Sequence, residues 1–461
     1  MSGKNVWTTY QEQDITALTA MAEGYKAYIS EGKTERECVN LARAEAEKRG
    51  FVRLEEKIEK GEALKPGDKV YADCMGKAML LAVIGQEPME KGMNILGAHI
   101  DSPRLDLKQN PLYEDTEMAL LDTHYYGGIK KYQWVTLPLA IHGVVAKKDG
   151  TMISINIGEG ENDPVFCISD LLVHLSAEQM EKKAKEVIEG EGLNVLIGSQ
   201  PLAEEEKDGV KLQILKLLKD SYDMEEEDFL SAELEIVPAG KARDCGLDRS
   251  MVIGYGQDDR ICAYTSLLAI LEVENLSRTG ICLLVDKEEI GSVGATGMHS
   301  HFFEDTVAEI MNLTGAYSEL ALRRALRNSC MLSSDVSAAF DPNYASAFEK
   351  KNSAYFGKGL VFNKYTGSRG KSGSNDASAE YMAKIRRVMD EAHVAYQTAE
   401  LGKVDLGGGG TIAYILANYG MEVIDSGIAL LNMHAPWEIS SKADIYEAYK
   451  GYCAFLKNMD L

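Results

Sequence analysis

Residues 280–292 read Gly280-Ile-Cys-Leu-Leu-Val285-Asp286-Lys287-Glu288-Glu289-Ile290-Gly291-Ser292. The run from Gly280 to Val285 is apolar, short and followed by a glycine turn, which is the signature of a buried strand. Two adjacent carboxylates, Glu288 and Glu289, stand just past its tip. Charged groups held so close to a buried element are costly unless cations meet them.

The same arrangement recurs at other points of the chain. Met93 to Ala98 reads as a strand that runs straight into His99, with Lys77 to Gly85 as a strand before it. Open α/β sheets put their sites at such carboxyl ends. Met331-Leu-Ser-Ser leads to Asp335, and Ile428-Ala-Leu-Leu-Asn-Met leads to His434. Helices are expected over Cys262 to Val273 and Ser378 to His393, and another strand over Met421 to Ile424. Near the start, Thr34-Glu-Arg-Glu37 forms a capping box, with Cys38, Leu41, Ala42 and Ala46 on one helix face and Gly50 as the stop.

Between these segments the texture changes. Trp134 to Val145 and Met152 to Ile157 are β-type runs joined by the hairpin signal Lys147-Lys-Asp-Gly150. Ser176 to Leu218 reads as polar helical stretches, and Ala232 to Val237 as a strand. The acid runs Glu204-Glu-Glu206 and Glu225-Glu-Glu-Asp228 read as solvated surface. The simplest organisation is one α/β domain in two pieces, roughly 1–104 and 243–461, interrupted by a β-rich insert over 105–242.

At 461 residues the chain exceeds what one core normally organises, in keeping with two domains. A net charge of -23 disfavours nucleic acid and anionic membrane as partners. The eight cysteines form no CxxC pair, so neither a zinc knuckle nor a redox motif is supported. A reducing compartment is the default for such thiols, and no window is apolar enough to span a bilayer; the expected location is cytoplasmic.

Each candidate residue has a bland alternative. His99 alone could be a satisfied core histidine, but in His99-Ile-Asp101 both side chains share a strand face, so the carboxylate can orient the imidazole. Asp258-Asp259-Arg260 reads either as an exposed self-paired turn or as a metal-bridging Asp258 at the start of a helix. Glu288 and Glu289 point to different sides, so one can hold a metal while the other takes a proton from water. Charge arithmetic favours this set: two dications are balanced by Asp258, Glu289, Asp335 and a bridging hydroxide. Such a ligand set suits a two-metal hydrolase. Gly407 to Gly410 reads either as an anion nest or close backbone approach to substrate, with Gly409 as the candidate, or as a flexible turn. The basic residues Lys364, Arg369 and Lys371 read either as receivers of an acidic substrate group or as a solvated loop. His299 and His301 read as helix-surface residues.

Together, Gly97-Ala-His-Ile-Asp-Ser-Pro-Arg104, Tyr126-Gly-Gly128, Gln257-Asp-Asp259, Asp286-Lys-Glu-Glu-Ile-Gly-Ser292, Ser334-Asp335, Asp341-Pro-Asn-Tyr344 and Asn432-Met-His434 resemble the bacterial branch of the aspartyl aminopeptidase family. These are dinuclear zinc exopeptidases. The resemblance implies a three-layer α/β/α catalytic domain with an inserted β-rich dimerisation domain. It implies two divalent metals, zinc above all, with cobalt or manganese as substitutes. Their ligands would be His99, Asp258, Glu289, Asp335 and His434, with Glu288 as general base and Asp101 orienting His99. It further implies a cis Asp258–Asp259 peptide, and dimers assembled into a tetrahedral dodecamer in which His174 enters a neighbouring subunit's site. The implied substrates are short peptides with N-terminal Asp or Glu. The alternatives are a broad Leu/Met-type aminopeptidase, another amidohydrolase on the same scaffold, and a metal-free scaffold relative.

Overall fold

The computed structural model describes residues 4–203 and 207–460; the acid run at Glu204 to Glu206 lies outside them. The chain packs as two compact units. The first is built from the segment ending at Asp101, Ala242–Met433 and the segment starting at Glu438; the second from Ser102–Lys241 and His434–Trp437. The cuts fall three and one residues before those expected from texture, and a four-residue piece after Met433 joins the second unit.

The first unit is organised by a nine-stranded mixed sheet. Its strands in chain order are β1 (Val52–Arg53), β2 (Lys69–Cys74), β3 (Ala78–Val83), β4 (Asn94–His99), β5 (Gly280–Val285), β6 (Cys330–Ser334), β7 (Leu360–Asn363), β8 (Tyr396–Thr398) and β9 (Glu422–Gly427). They lie side by side as β1-β2-β3-β5-β4-β6-β9-β7-β8. The four central strands β5, β4, β6 and β9 are mutually parallel, with Val285 opposite His99 and Ser334 opposite Ser426. Their carboxyl ends therefore open on one edge, which is where the acidic and histidine residues cluster.

Alternation along the strands assigns each face to its own core. Met79, Leu81 and Val83 of β3, and Cys282 and Leu284 of β5, enter one apolar cluster. Leu80 and Ala82, with Ile281, Leu283 and Val285, enter the other. The first cluster is covered by α1 (Glu12–Glu31), α2 (Glu35–Lys48), α4 (Gln257–Glu272), α7 (Ala379–Glu391) and α9 (Lys442–Asn458). The second is covered by α3 (Leu54–Lys60), α5 (Phe302–Leu313), α6 (Glu319–Arg327) and α8 (Ala413–Ala417). A sheet between two helical layers is the α/β/α arrangement. The capping box at Thr34 opens α2: Thr34 Oγ1 accepts from Glu37 N, and Cys38, Ala42 and Ala46 are buried. Gly50 follows with a φ of 81°, a conformation that suits glycine.

The second unit carries a six-stranded antiparallel sheet. The hairpin at Lys147 to Gly150 joins Leu139–Ala146 to Met152–Ile157, with Lys147 N donating to Thr151 O. Ser176 to Leu218 is less helical than its sequence suggests. It holds one turn at Ala177–Met180, a strand at Val195–Gly198 and a helix at Gly209–Tyr222. The strand is not legible locally because it pairs with Ala119, Leu120 and Leu121, far away in sequence. Among the described residues no helix is long and apolar enough to cross a membrane.

Candidate metal centre

β4 delivers His99 at its last position, and the imidazole is buried. Its Nδ1 lies 3.0 Å from the Asp101 carbonyl and 3.3 Å from Asp101 Oδ1. A proton on Nδ1 satisfies that side and leaves the lone pair on Nε2. This is the tautomer a metal ligand needs. Nε2 faces Asp258 Oδ1 at 3.2 Å and Glu288 Oε2 at 3.8 Å.

Asp101 has a second task that its spacing did not reveal. Its carboxylate accepts from Glu288 N and Glu289 N, both at 3.2 Å. One buried carboxylate therefore orients His99 and fixes the turn that bears both glutamates. That turn is Glu288–Ile290, flanked by Lys287 and Gly291 with positive φ. Asp286 pins its base through Lys287 N at 2.7 Å and Thr296 Oγ1 at 2.5 Å.

Asp258 sits where α4 begins, and its peptide to Asp259 is cis, as the resemblance implied. The exposed-turn alternative fails, since Asp258, Asp259 and Arg260 are all buried. Arg260 donates to the carbonyls of Ile100 and Lys33 at 3.1 and 2.8 Å, tying α4 to the end of β4. Glu438, unmarked by any local pattern, accepts from Gln257 N at 2.6 Å and Asp258 N at 3.2 Å. It anchors the backbone at Asp258 from a strand about 180 residues away.

Asp335 follows β6 and continues the ladder, Asp335 N donating to Ser426 O at 3.1 Å. Its backbone passes close against Gly427: a Cβ there would lie 1.8 Å from the Asp335 carbonyl oxygen. Gly427→Ala is therefore expected to push Asp335 out of place. The variant should bind less zinc per chain, as read by elemental analysis, with at least ~10-fold lower activity, the scale of disturbing a ligand's support.

One ligand atom each of His99, Asp258 and Asp335 lie within 4.8 Å of one another, and so do those of His99, Glu288 and Glu289. Without a cation this crowd is electrostatically strained. Burial, then the charges of Asp259 and Asp258, push the Asp335 carboxyl well above the usual carboxylate range. Burial alone would lower His99, but Asp101 and Asp258 outweigh it and hold the imidazole well above its ordinary value. Burial likewise raises Asp259. A set of oxygen and nitrogen donors that repel one another in a dry site is what a divalent ion relieves. The residues fit zinc.

His434 belongs to the second unit, where its Nδ1 lies 2.8 Å from Gly128 O. A proton on Nδ1 again directs the lone pair to Nε2. His174 lies in the exposed turn Val173–Leu175 of the same unit. Val173 and Leu175 beside it are 78% and 68% exposed, an apolar surface unusual at a solvent face.

The substrate-side candidates find other partners. Lys364 and Lys371 share one carboxylate, Asp376, at 3.3 and 2.9 Å, which holds both ammonium groups and offsets half of their charge. Gly409 N donates to Thr366 O at 2.9 Å, which removes it as an anion donor. The neighbouring glycines serve close packing: a Cβ on Gly408 would meet Ser368 Cα at 2.4 Å. Arg369 makes no ion pair among the described residues. His299 meets the Tyr414 hydroxyl at 2.9 Å, and His301 is exposed at the start of α5; neither joins the cluster.

Residues 28–456 match the family model described as "Aminopeptidase I zinc metalloprotease (M18)". A probable M18 family aminopeptidase 1 from Clostridium acetobutylicum is 67% identical over 99% of this chain and 98% of its own. A crystal structure of aminopeptidase I from that organism superposes with a TM-score of 0.93 at 63% identity, covering 99% of each chain. The crystal structure of an M18 aminopeptidase from Thermotoga maritima gives 0.95 at 46% identity, covering all of both chains. At 20% identity, a Saccharomyces cerevisiae mApe1 dodecamer shares the fold, with a TM-score of 0.77 over 96% of this chain and 97% of its own.

Proposed function

The chain belongs to the aminopeptidase I (M18) family of zinc metalloproteases and is a zinc aminopeptidase, and we propose that it holds two zinc ions, with Glu288 as the proton carrier. The observation that carries this reading is the convergence of His99, Asp258, Asp335, Glu288 and Glu289 at one edge of the sheet. His99 and Asp335 would hold one ion, Glu289 and His434 the other, with Asp258 between them. When bound, the zinc ions polarise the scissile carbonyl and acidify the attacking water.

The chain's own residues do the rest. Glu288 takes the proton from the attacking water and later returns it to the departing amine. Asp101 keeps His99 in the ligating tautomer and holds Glu288 by its backbone N–H. Glu289 shares that anchor, so the two glutamates keep a fixed offset.

The insert would act as a dimerisation surface, and a homo-oligomer, the tetrahedral dodecamer in its fullest form, would cover the apolar residues around His174. There His174 would help stabilise the oxyanion in the neighbouring subunit's site. His174→Ala should then lower kcat by ~10²–10³, the scale of one lost oxyanion donor. Mixed oligomers of His174→Ala and Glu288→Gln subunits should recover activity; no recovery would place His174 outside the neighbour's site.

The substrates would be short peptides with a free N-terminus, handled in the cytoplasm. Arg369 is the cation left to receive an N-terminal Asp or Glu side chain. The pairing of Lys364 and Lys371 with Asp376 favours a second reading, a broad Leu/Met-type preference. A panel of aminoacyl chromogenic substrates on zinc-loaded enzyme separates them. Higher kcat/KM for Asp and Glu than for Leu and Met supports acidic preference; the reverse order supports the broad reading. Hydrolysis of N-acylated substrates only would overturn both.

A further inference from the structure

The amino ends of the central strands, on the edge opposite the metal centre, border a cleft of about 940 Å³. Arg278 precedes β5, Asn328 precedes β6, and Glu422 is the first residue of β9. Strands of six residues put this cleft roughly 20 Å from the ligand cluster. Its lining has one apolar side chain, Met459, and no aromatic one among the described residues.

The charges of this wall do not cancel. Arg278 is only 6% exposed, yet its guanidinium is held by carbonyls rather than by a carboxylate. Its Nε donates to Gly92 O at 3.2 Å, and one Nη donates to Lys91 O at 2.9 Å and to Asn328 O. Arg327, Lys384 and Lys457 also line the cleft and form no ion pair among the described residues. Two of the three acids are paired, Asp460 with Arg387 and Glu87 with Lys91 at 3.6 Å. Glu422 keeps its charge, accepting from the neutral Ser378 Oγ at 3.0 Å, so one carboxylate stands against four cations that have no ion pair among the described residues.

Helix ends explain part of this. Arg327 and Lys457 stand in the last turns of α6 and α9, where a cation meets the carbonyl dipole. Lys384 lies in the middle of α7, and Arg278 in the connection before β5, so neither has that account. In a chain of net charge -23, a surplus of cations gathered in one cleft runs against the general field.

We propose that this cleft binds a compact, multiply charged oxyanion of the phosphate type. Arg278, fixed by backbone, offers a preorganised guanidinium, and Arg327, Lys384 and Lys457 add mobile charge around it. With no aromatic or broad apolar wall, the cleft gives a nucleobase or acyl chain nothing to pack against. The ligand is the charged group itself.

Calorimetric titration of zinc-loaded enzyme at low ionic strength tests this, with sodium diphosphate and glycerol phosphate as probes. The wild type should show one saturable site per chain outside the metal centre. The Arg327→Gln/Lys384→Gln double variant should bind at least ten-fold more weakly while hydrolysing peptides normally without added anion. Lys384→Arg, which keeps the charge, should bind as the wild type does. The tighter probe identifies an inorganic or an ester source. Equal affinity in wild type and double variant, which would place the anion on the zinc ions, or absence of saturable binding, would overturn the proposal. Either result leaves the aminopeptidase reading intact, since that reading is scored by hydrolysis alone.

Discussion

Replacing Glu288 with Gln is expected to leave the zinc content unchanged and to lower kcat by ~10²–10⁴, the usual worth of a positioned general base. The amide keeps the size of the carboxylate and the backbone N–H that Asp101 holds, so the turn should not move. What disappears is the proton acceptor. Glu288 Oε2 stands 3.8 Å from His99 Nε2, and its side chain is 14% exposed, close to the ligands yet open enough to meet water. Steady-state kinetics on an aminoacyl substrate, paired with elemental analysis, reads both halves. A variant that turns over normally would remove Glu288 from the reaction, and one that loses zinc would make it a ligand.

Asp258→Ala should fail in the opposite way. Asp258 faces His99 across 3.2 Å and shares a ligand cluster with Asp335. On the proposed two-zinc reading, loss of this carboxylate should empty both positions, so zinc per chain falls towards zero and hydrolysis to the background rate. The fold should persist, because the backbone at this point is anchored by Glu438 through Asp258 N and Gln257 N, and α4 by Arg260 through two carbonyls. Circular dichroism of the variant should overlay the wild type. Two zinc ions retained per chain would show that Asp258 does not lie between them.

Much of this site is legible in the chain because it is built from local grammar. Apolar runs that end in His99, Glu288 and Asp335 are strands whose carboxyl ends share one edge, and that edge is fixed by parallel pairing. What the sequence conceals depends on long-range approach. Glu438 has no motif, and its value lies in two N–H groups brought to it from the start of α4. Asp101 is legible as a partner of His99 by its spacing, but its hold on Glu288 and Glu289 needs β4 and β5 side by side. Gly427 carries no signal in sequence; only the passage of Asp335 against it shows why a side chain is excluded. The basic loop misleads for the converse reason. Lys364 and Lys371 look available until Asp376, a few residues on, folds back between them.

The central claim is that one carboxylate bridges two ions while Glu288 stays off both. Anomalous diffraction at the zinc edge, from crystals of the zinc-loaded Glu288→Gln variant, addresses it directly. Two peaks per chain, ~3.5–4 Å apart and flanking Asp258, are predicted, with the introduced amide side chain outside bonding distance of either. A single peak, or two peaks with Asp258 touching only one, would contradict it.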